Sequence, residues 1–182
     1  MAFVIAFAFS SYSSTCERVK KPFNPLLGET YTLNYKDKNK EFHFFSEQVS
    51  HHPPISAFVC KNKNYTVNGN VGISMKFWGK SLEFSPTGYI EIKLHTYNEV
   101  YTYNRGVSSI ENILMGTPYI DHGGEMKFTN KSLGYKASIK LKKRGWTGYD
   151  AYKGQGKILD PKKNVVYKIK GKWNASMLAI DA

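Results

Sequence analysis

The residues best suited to chemistry in this chain are two adjacent histidines, His51 and His52, which two prolines follow. The surrounding segment, 46–54, has the sequence SEQVSHHPP, and an alternating apolar run begins directly after it at Ile55. Unusual side chains on a loop between strands often serve function. A histidine packed in the core or capping a strand is the structural alternative. The pair therefore marks a candidate site.

Metal binding and catalysis are both disfavoured by the residues around the pair. On an extended chain neighbouring side chains point to opposite sides, and no HExxH spacing or carboxylate triad lies nearby. A nucleophilic mechanism needs a nucleophile elbow or a Cys–His spacing, and neither is visible. Anion binding remains, because protonated imidazole donates from both nitrogens and a phosphate favours that form. We therefore expect a binding protein with no catalytic residue, metal or cofactor.

A second candidate cluster lies at 21–29, with the sequence KPFNPLLGE. Pro22 fixes the chain after Lys21, while Pro25 and Gly28 allow a sharp turn, so that the amides from Asn24 onward could face an anion. Lys21 beside the histidines would form a cationic clamp for a phosphomonoester, whose charge is about −1.5 to −2. Lys-Pro is common on surfaces, so the spacing alone gives this proximity modest support.

The elements that must position these residues are mostly strands. Ala2 to Val19 is expected to be helical, with Phe3, Ala6 and Phe7 at helical spacing. After it, short aromatic-rich runs alternate with turns marked by Gly, Pro and Asn, which is typical of an antiparallel meander. Turns are expected at 86–88 and at 123–124, and the stretch 109–115 as a helical turn or a strand. Curling into a nearly closed barrel would protect the sheet edges.

Composition narrows the class of protein. The chain has 182 residues, 41% of them hydrophobic and 22% charged, which is typical of one globular domain. Its net charge of +12 suits a polyanionic partner, although part of the excess can serve solubility alone. The apolar run 1–9 is too short to span a bilayer and is expected to be a buried helix, with a cleaved signal peptide as the alternative. Cys16 and Cys60 are expected to be reduced.

A basic β-barrel that binds single-stranded nucleic acid is the rival class. Aromatic side chains interleaved with lysines would support it, and the segment from Lys140 to Trp146 has that composition. The same run also fits a solvated strand end or a membrane-facing patch, and we expect no nucleic acid partner. Competition between nucleic acid and a lipid ligand would separate the two classes.

EQVSHHPP and KPFNPLLGE resemble the two hallmark motifs of the oxysterol-binding-protein-related family, in the family's order and at about its spacing. Segments 112–126 and 171–174 are similar to two further family segments. The resemblance implies a mainly β fold, an antiparallel meander that forms a large incomplete barrel around a lipid tunnel, with an N-terminal helix. It also implies a single partial domain over 1–182, without the family's N-terminal lid and C-terminal region.

The function implied by the resemblance is lipid binding and transfer. Phosphatidylinositol 4-phosphate would be bound at the tunnel mouth and exchanged for a sterol or phosphatidylserine between membranes; a lipid sensor without net transport is the alternative. The protein would be cytoplasmic and peripheral, docking transiently on anionic membrane surfaces. The head-group residues carried over are Lys21, Asn24, Leu27, Gly28, His51 and His52.

Overall fold

The computed structural model describes residues 1–16, 23–38 and 40–182. Helix α1 (Ala2–Ser10) continues into a 3₁₀ helix (Ser11–Thr15). Every other regular element is a strand: β1 (Thr30–Asp37), β2 (Lys40–Ser50), β3 (Ile55–Lys61), β4 (Tyr65–Phe77), β5 (Leu82–Thr87), β6 (Ile90–Leu94), β7 (Glu99–Tyr103), β8 (Val107–Glu111), β9 (Tyr119–Asn130), β10 (Lys136–Leu141), β11 (Lys153–Leu159), β12 (Val165–Lys172) and β13 (Met177–Asp181).

The strands form one antiparallel sheet in the order β1-β2-β3-β4-β5-β8-β9-β10-β11-β12-β13, with β6 and β7 as a side branch. The branch arises because β4 pairs with β6 through 65–69 and with β5 through 72–77. Strand β9 rejoins the two routes by pairing with both β7 and β8. In the described chain β1 and β13 each pair with one neighbour, so the sheet is a meander with two edges and not a closed barrel. The predicted fold class is confirmed.

The hydrophobic core lies between α1 and the inner face of β6, β7 and β9–β12. Buried side chains of the helix, such as Ile5 and Phe9, pack there against Ile139 and Ile158 of the sheet. The prediction that Phe3 and Phe7 lie on the buried face of the helix was wrong, because Phe3 is 91% and Phe7 54% exposed. A helix that is apolar on every side gives no period from which the buried face can be chosen.

Two expected turns are also wrong. Pro86 lies inside β5, opposite Ile73, beyond the part of β5 that pairs with β8, so its missing N–H is not needed on that side. Gly123 and Gly124 lie inside β9, where they pair with Val107 and with β10 respectively. Glycine and proline mark kinks within strands as well as turns, and β9 exchanges its neighbours at this point.

Three further outcomes complete the comparison with the expected elements. Residues 107–111 are the strand β8, which decides between the helix and the strand expected near 109–115. Strand β13 was not anticipated from the sequence. The expected helical residues 17–19 lie outside the part of the chain that the structure describes.

Candidate functional site

His51 and His52 lie in the tight turn that joins β2 to β3. Both are exposed, their ring centroids are 4.5 Å apart, and the rings are tilted by 52°. The peptide bond between His52 and Pro53 is cis. Because the pair lies in a turn, the alternation of an extended chain does not separate the two imidazoles. They present two adjacent donor–acceptor groups to one region of solvent.

The segment 26–29 forms a second turn, which is hydrogen-bonded to the end of β2. The Gly28 N–H donates to the Gln48 carbonyl (2.8 Å), and the Gln48 N–H donates to the Glu29 carbonyl (3.0 Å). Gly28 has φ +79°, a conformation that favours glycine. The Glu29 carboxylate accepts the N–H of Leu26 at 2.7 Å. Leu26 and Gln48 are 22 residues apart in sequence. These hydrogen bonds nevertheless join the two motifs into one local structure.

The backbone amides in this turn differ in their availability. The Gly28 N–H already has an acceptor within the fold. Among the described residues the Leu27 N–H has none, and the Leu27 side chain is exposed. Leu27 therefore offers the turn's free amide, while Gly28 supplies the backbone conformation.

Gln48 connects the histidine turn to the neighbouring strand. Its side chain is almost fully buried, with 3% exposed. It donates from Nε2 to the Ser50 carbonyl (2.9 Å) and accepts the hydroxyl of Ser56 on β3 at Oε1. The buried amide therefore has partners for both its oxygen and its nitrogen, and it holds the turn against β3.

A cavity of about 500 Å³ lies beside these two turns. Its volume is within the range of pockets that hold small molecules. Asn24, one of the predicted head-group residues, lies in its lining, as do Gln48 and Pro54 from the histidine motif. None of the described lining residues is Lys, Arg, Asp or Glu. Apolar lining side chains come from β4, β5, β8 and β9: Val71, Ile73, Phe84, Ile110 and Ile120.

One end of the cavity carries a buried polar group that was not among the predicted site residues, His122 on β9. Its Nε2 lies 2.7 Å from the Thr15 hydroxyl, and its Nδ1 lies 2.9 Å from the Ser108 hydroxyl. Thr15 Oγ1 donates its only proton to the Tyr12 carbonyl (2.6 Å). Nε2 must therefore donate to Thr15, and Nδ1 accepts from Ser108 in the neutral ring.

The surroundings of His122 keep the ring uncharged. Burial, and secondarily the charge of Arg105, lowers the pKa of His122 to about 4. The ring packs on Tyr12 (centroids 4.3 Å apart) and on Trp173 (5.0 Å). Nearby, the buried Ser109 hydroxyl has no hydrogen-bond partner within the described chain. This end of the cavity is thus polar but uncharged at neutral pH.

His122 could have been found from the sequence by one signal. The block YIDHGGEM places an aspartate and a histidine side by side, between Ile120 and two glycines. Charged or polar residues on the buried side of a strand indicate a built polar cluster. What the sequence could not supply is the position of Thr15 and Ser108 on either side of the ring.

The remaining features are Lys21, a metal site and a membrane-spanning helix. Lys21 lies outside the described residues, so its position relative to the histidines stays a prediction. Across 1–16, 23–38 and 40–182, no three His, Cys, Asp or Glu side chains cluster as a metal site would require. No helix in that part of the chain is long and apolar enough to cross a membrane.

The antiparallel sheet is that of a known class of β domains. The chain belongs to the oxysterol-binding protein family, whose model matches residues 1–182. It is 41% identical over 183 aligned positions to human oxysterol-binding protein-related protein 2, covering 100% of this chain and 38% of that protein. The chain therefore spans less than half the length of this relative.

Two solved structures have the same fold. The Osh1 ORD domain in complex with cholesterol matches with a TM-score of 0.89 and 37% identity, covering 100% of this chain and 43% of that one. The Osh3 ORD of Saccharomyces cerevisiae in complex with PI(4)P matches with a TM-score of 0.87 and 30% identity, covering 98% of this chain and 48% of that one.

Proposed function

We propose that this chain is a lipid-binding and lipid-transfer module that binds phosphatidylinositol 4-phosphate and exchanges it for a second lipid between membranes. The observation that carries the proposal is the placement of the exposed His51–His52 turn beside a cavity of about 500 Å³. Gln48 and Asn24 lie in the cavity lining and belong to the two motifs themselves. The solved Osh3 domain, which shares the fold, is bound to PI(4)P.

The head-group site combines the two turns. Each imidazole can donate to a phosphate oxygen, and the Leu27 N–H adds a neutral donor. Lys21, which the family resemblance assigns to the same site, would bring a permanent positive charge. Asn24 would contact the head group from the cavity lining, and Gly28 would shape the turn. Hydrogen bonds to the charged phosphate are roughly twice as strong as hydrogen bonds between neutral groups. The chemistry is binding alone, with no bond made or broken.

The apolar part of either ligand would occupy the cavity. Burying a lipid chain contributes about 0.8 kcal/mol for each CH₂ removed from water. A sterol suits the described lining of the cavity better than phosphatidylserine does. The lining carries no charged side chain, and His122 and Ser109 offer uncharged polar groups within it. The solved Osh1 domain holds cholesterol. Phosphatidylserine remains the second candidate, and a sensor that binds without transport is the alternative to a carrier.

The deciding experiment is extraction of phosphatidylinositol 4-phosphate from liposomes by the wild type and by His51→Ala/His52→Ala. We expect the double variant to lose extraction while its melting temperature stays near that of the wild type, because both rings are exposed. A flux measurement between two liposome populations then separates transfer from sensing.

The matched control is His43→Ala/His95→Ala, which removes two exposed histidines far along the strands from the turn. This variant should extract lipid as the wild type does. Unfolding of the His51/His52 variant would show that the pair is structural, and would contradict the assigned site. Unchanged extraction by a folded His51/His52 variant would contradict it too.

A further inference from the structure

Eight lysines lie on the outer face of the sheet at β10–β12, on the side away from the core. The strands alternate here: Ile139, Ile158 and Ile169 point inward and are buried, and the lysines occupy the other parity. Lys142 continues the pairing of β10 with β11 beyond the end of β10, since its N–H donates to the Lys153 carbonyl. We call the six on β11, on β12 and directly after β10 the lysine face: Lys142, Lys153, Lys157, Lys168, Lys170 and Lys172. Lys136 and Lys140 of β10 lie beside it on the same side of the sheet.

The register places lysines directly opposite one another. Lys153 pairs with Lys172, and Lys157 pairs with Lys168, across β11 and β12. Like charges directly opposite in a ladder are destabilising. An arrangement that lowers the stability of the sheet, present in two rows on either side of the Gln155–Lys170 pair, is expected where a polyanion neutralises it.

Acidic side chains relieve this repulsion in one corner only. Asp150 lies 3.8 Å from Nζ of Lys142 and 3.2 Å from Nζ of Lys153. Within the described chain, no carboxylate lies within 4.0 Å of the four remaining ammonium groups, those of Lys157, Lys168, Lys170 and Lys172. Their charge is open to a partner.

The shape and the margin of the lysine face favour a lipid surface over nucleic acid. A shallow groove of about 410 Å³ lies between Lys170, Lys172 and Leu178, which is 58% exposed. Lysines beside exposed aliphatic side chains are typical of proteins that lie on membranes. Single-stranded nucleic acid needs a series of aromatic stacking faces. Lys153 covers the ring of Tyr149, with Nζ 3.6 Å from its centroid, and the fully exposed Trp146 of the same loop is a residue type that is enriched at membrane interfaces.

We propose that the lysine face docks this chain on anionic bilayers. This inference rests on the proposed lipid-carrying function, because a carrier must meet a membrane surface. The lysine face is separate from the His51–His52 turn, which lies between β2 and β3 near the other end of the strand order. Each lysine that reaches an anionic leaflet contributes roughly fivefold to affinity.

The test is flotation of the whole chain with vesicles of phosphatidylcholine, with and without phosphatidylserine, at physiological salt. Lys168→Glu/Lys172→Glu places a glutamate opposite Lys157 and Lys153, so each repulsive pair becomes an attractive one. We expect this variant to bind phosphatidylserine vesicles roughly 25-fold more weakly or worse, with a melting temperature equal to or above that of the wild type. A structural role for the lysines would not weaken docking while raising stability.

The control is Lys38→Glu/Lys63→Glu, which changes net charge by the same amount at the turns after β1 and β3. It should bind vesicles as the wild type does; equal loss in the control and the reversed variant would show that net charge acts alone and would overturn the proposal. So would undiminished binding by the reversed variant.

A water-soluble, short-chain phosphatidylinositol 4-phosphate separates this inference from the proposed function. The reversed variant should bind it as the wild type does, because the lysine face is away from the head-group site. A wild type that docks on vesicles but binds no soluble phosphoinositide would overturn the proposed function and support the docking surface.

Discussion

The neutral ring of His122 is the residue on which the polar end of the cavity depends. It donates to Thr15 and accepts from Ser108, so it joins the 3₁₀ helix to two strands. Protonation would convert the accepting nitrogen into a donor that faces a hydroxyl in a buried place. The lowered pKa, about 4, expresses the free energy that burial adds to the charged form.

Stability is therefore expected to fall as the pH drops from 6.5 towards 4. In the unfolded chain His122 takes up a proton below its ordinary pKa of 6.5, while the folded ring resists protonation until about pH 4. The unfolded state then binds more protons in this window, which corresponds to a loss of roughly 3 kcal/mol across it. Chemical denaturation at a series of pH values measures this slope.

The control for this slope is His122→Gln, which retains a donor and an acceptor but does not titrate. Its stability should change less between pH 6.5 and 4 than that of the wild type. Asp121 acts in the opposite direction, since burial raises the pKa of its carboxyl, and it is present in both proteins. Equal slopes in the wild type and in His122→Gln would contradict the assignment.

At the scale of elements, the turn 26–29 and strand β2 act as one unit. The Glu29 carboxylate closes the turn by accepting the Leu26 N–H, and the backbone of Gln48 ties the turn to the histidine motif. Within the proposed head-group site, Glu29 is thus a positioning residue for the Leu27 amide. Its negative charge would not itself favour a phosphate, so its presence beside the site points to this hydrogen bond.

Glu29→Ala is expected to weaken binding of a soluble phosphoinositide roughly fivefold, because the turn loses a charge-assisted hydrogen bond of about 1 kcal/mol. Isothermal titration measures the affinity. Thermal unfolding should change little, since the turn is exposed.

Glu41→Ala is the matched control, because Glu41 is another exposed glutamate, at the far end of β2. Its affinity should equal that of the wild type. A Glu29 variant that binds at least as tightly as the wild type would show that charge repulsion outweighs the positioning effect.

The close approach of β10 and β11 gives a second prediction at this scale. A Cβ at Gly156 would overlap with the carbonyl oxygen of Ser138 and lie 2.8 Å from Cα of Ile139, both backbone atoms. Gly156→Ala should therefore lower the free energy of unfolding by about 2 kcal/mol or more. At Gly145, where nothing lies within 4 Å of such a Cβ, alanine should change it little. Urea denaturation compares the two, and equal values would contradict the close approach.

At the scale of the whole molecule, the sheet has two halves with different contents. Helix α1 fills the half formed by β6, β7 and β9–β12 and makes it a packed core. The half formed by β2–β5, β8 and the first residues of β9 lines the cavity instead, with the turns of the proposed head-group site at its margin. The net charge of +12 is not spread evenly, since part of it is concentrated on the lysine face outside the packed half.

The sequence by itself determined the strand-rich class, most strand positions and the two motifs. These follow from local properties: alternation, aromatic content, and the proline and glycine pattern around His51–His52. Strand β3 begins at Ile55, where the alternating apolar run of the sequence begins. Where glycine or proline lies inside a strand, at Pro86 and at 123–124, the local pattern gave the wrong element.

Only the tertiary structure decided which residues meet. The buried face of α1 depends on the sheet that covers it, and no period within an all-apolar helix encodes that choice. The link from Glu29 to Gln48 and the hydroxyls around His122 join residues far apart in sequence. The lysine face emerges from strand register, because cross-strand neighbours are fixed by pairing, and pairing is a property of the folded sheet.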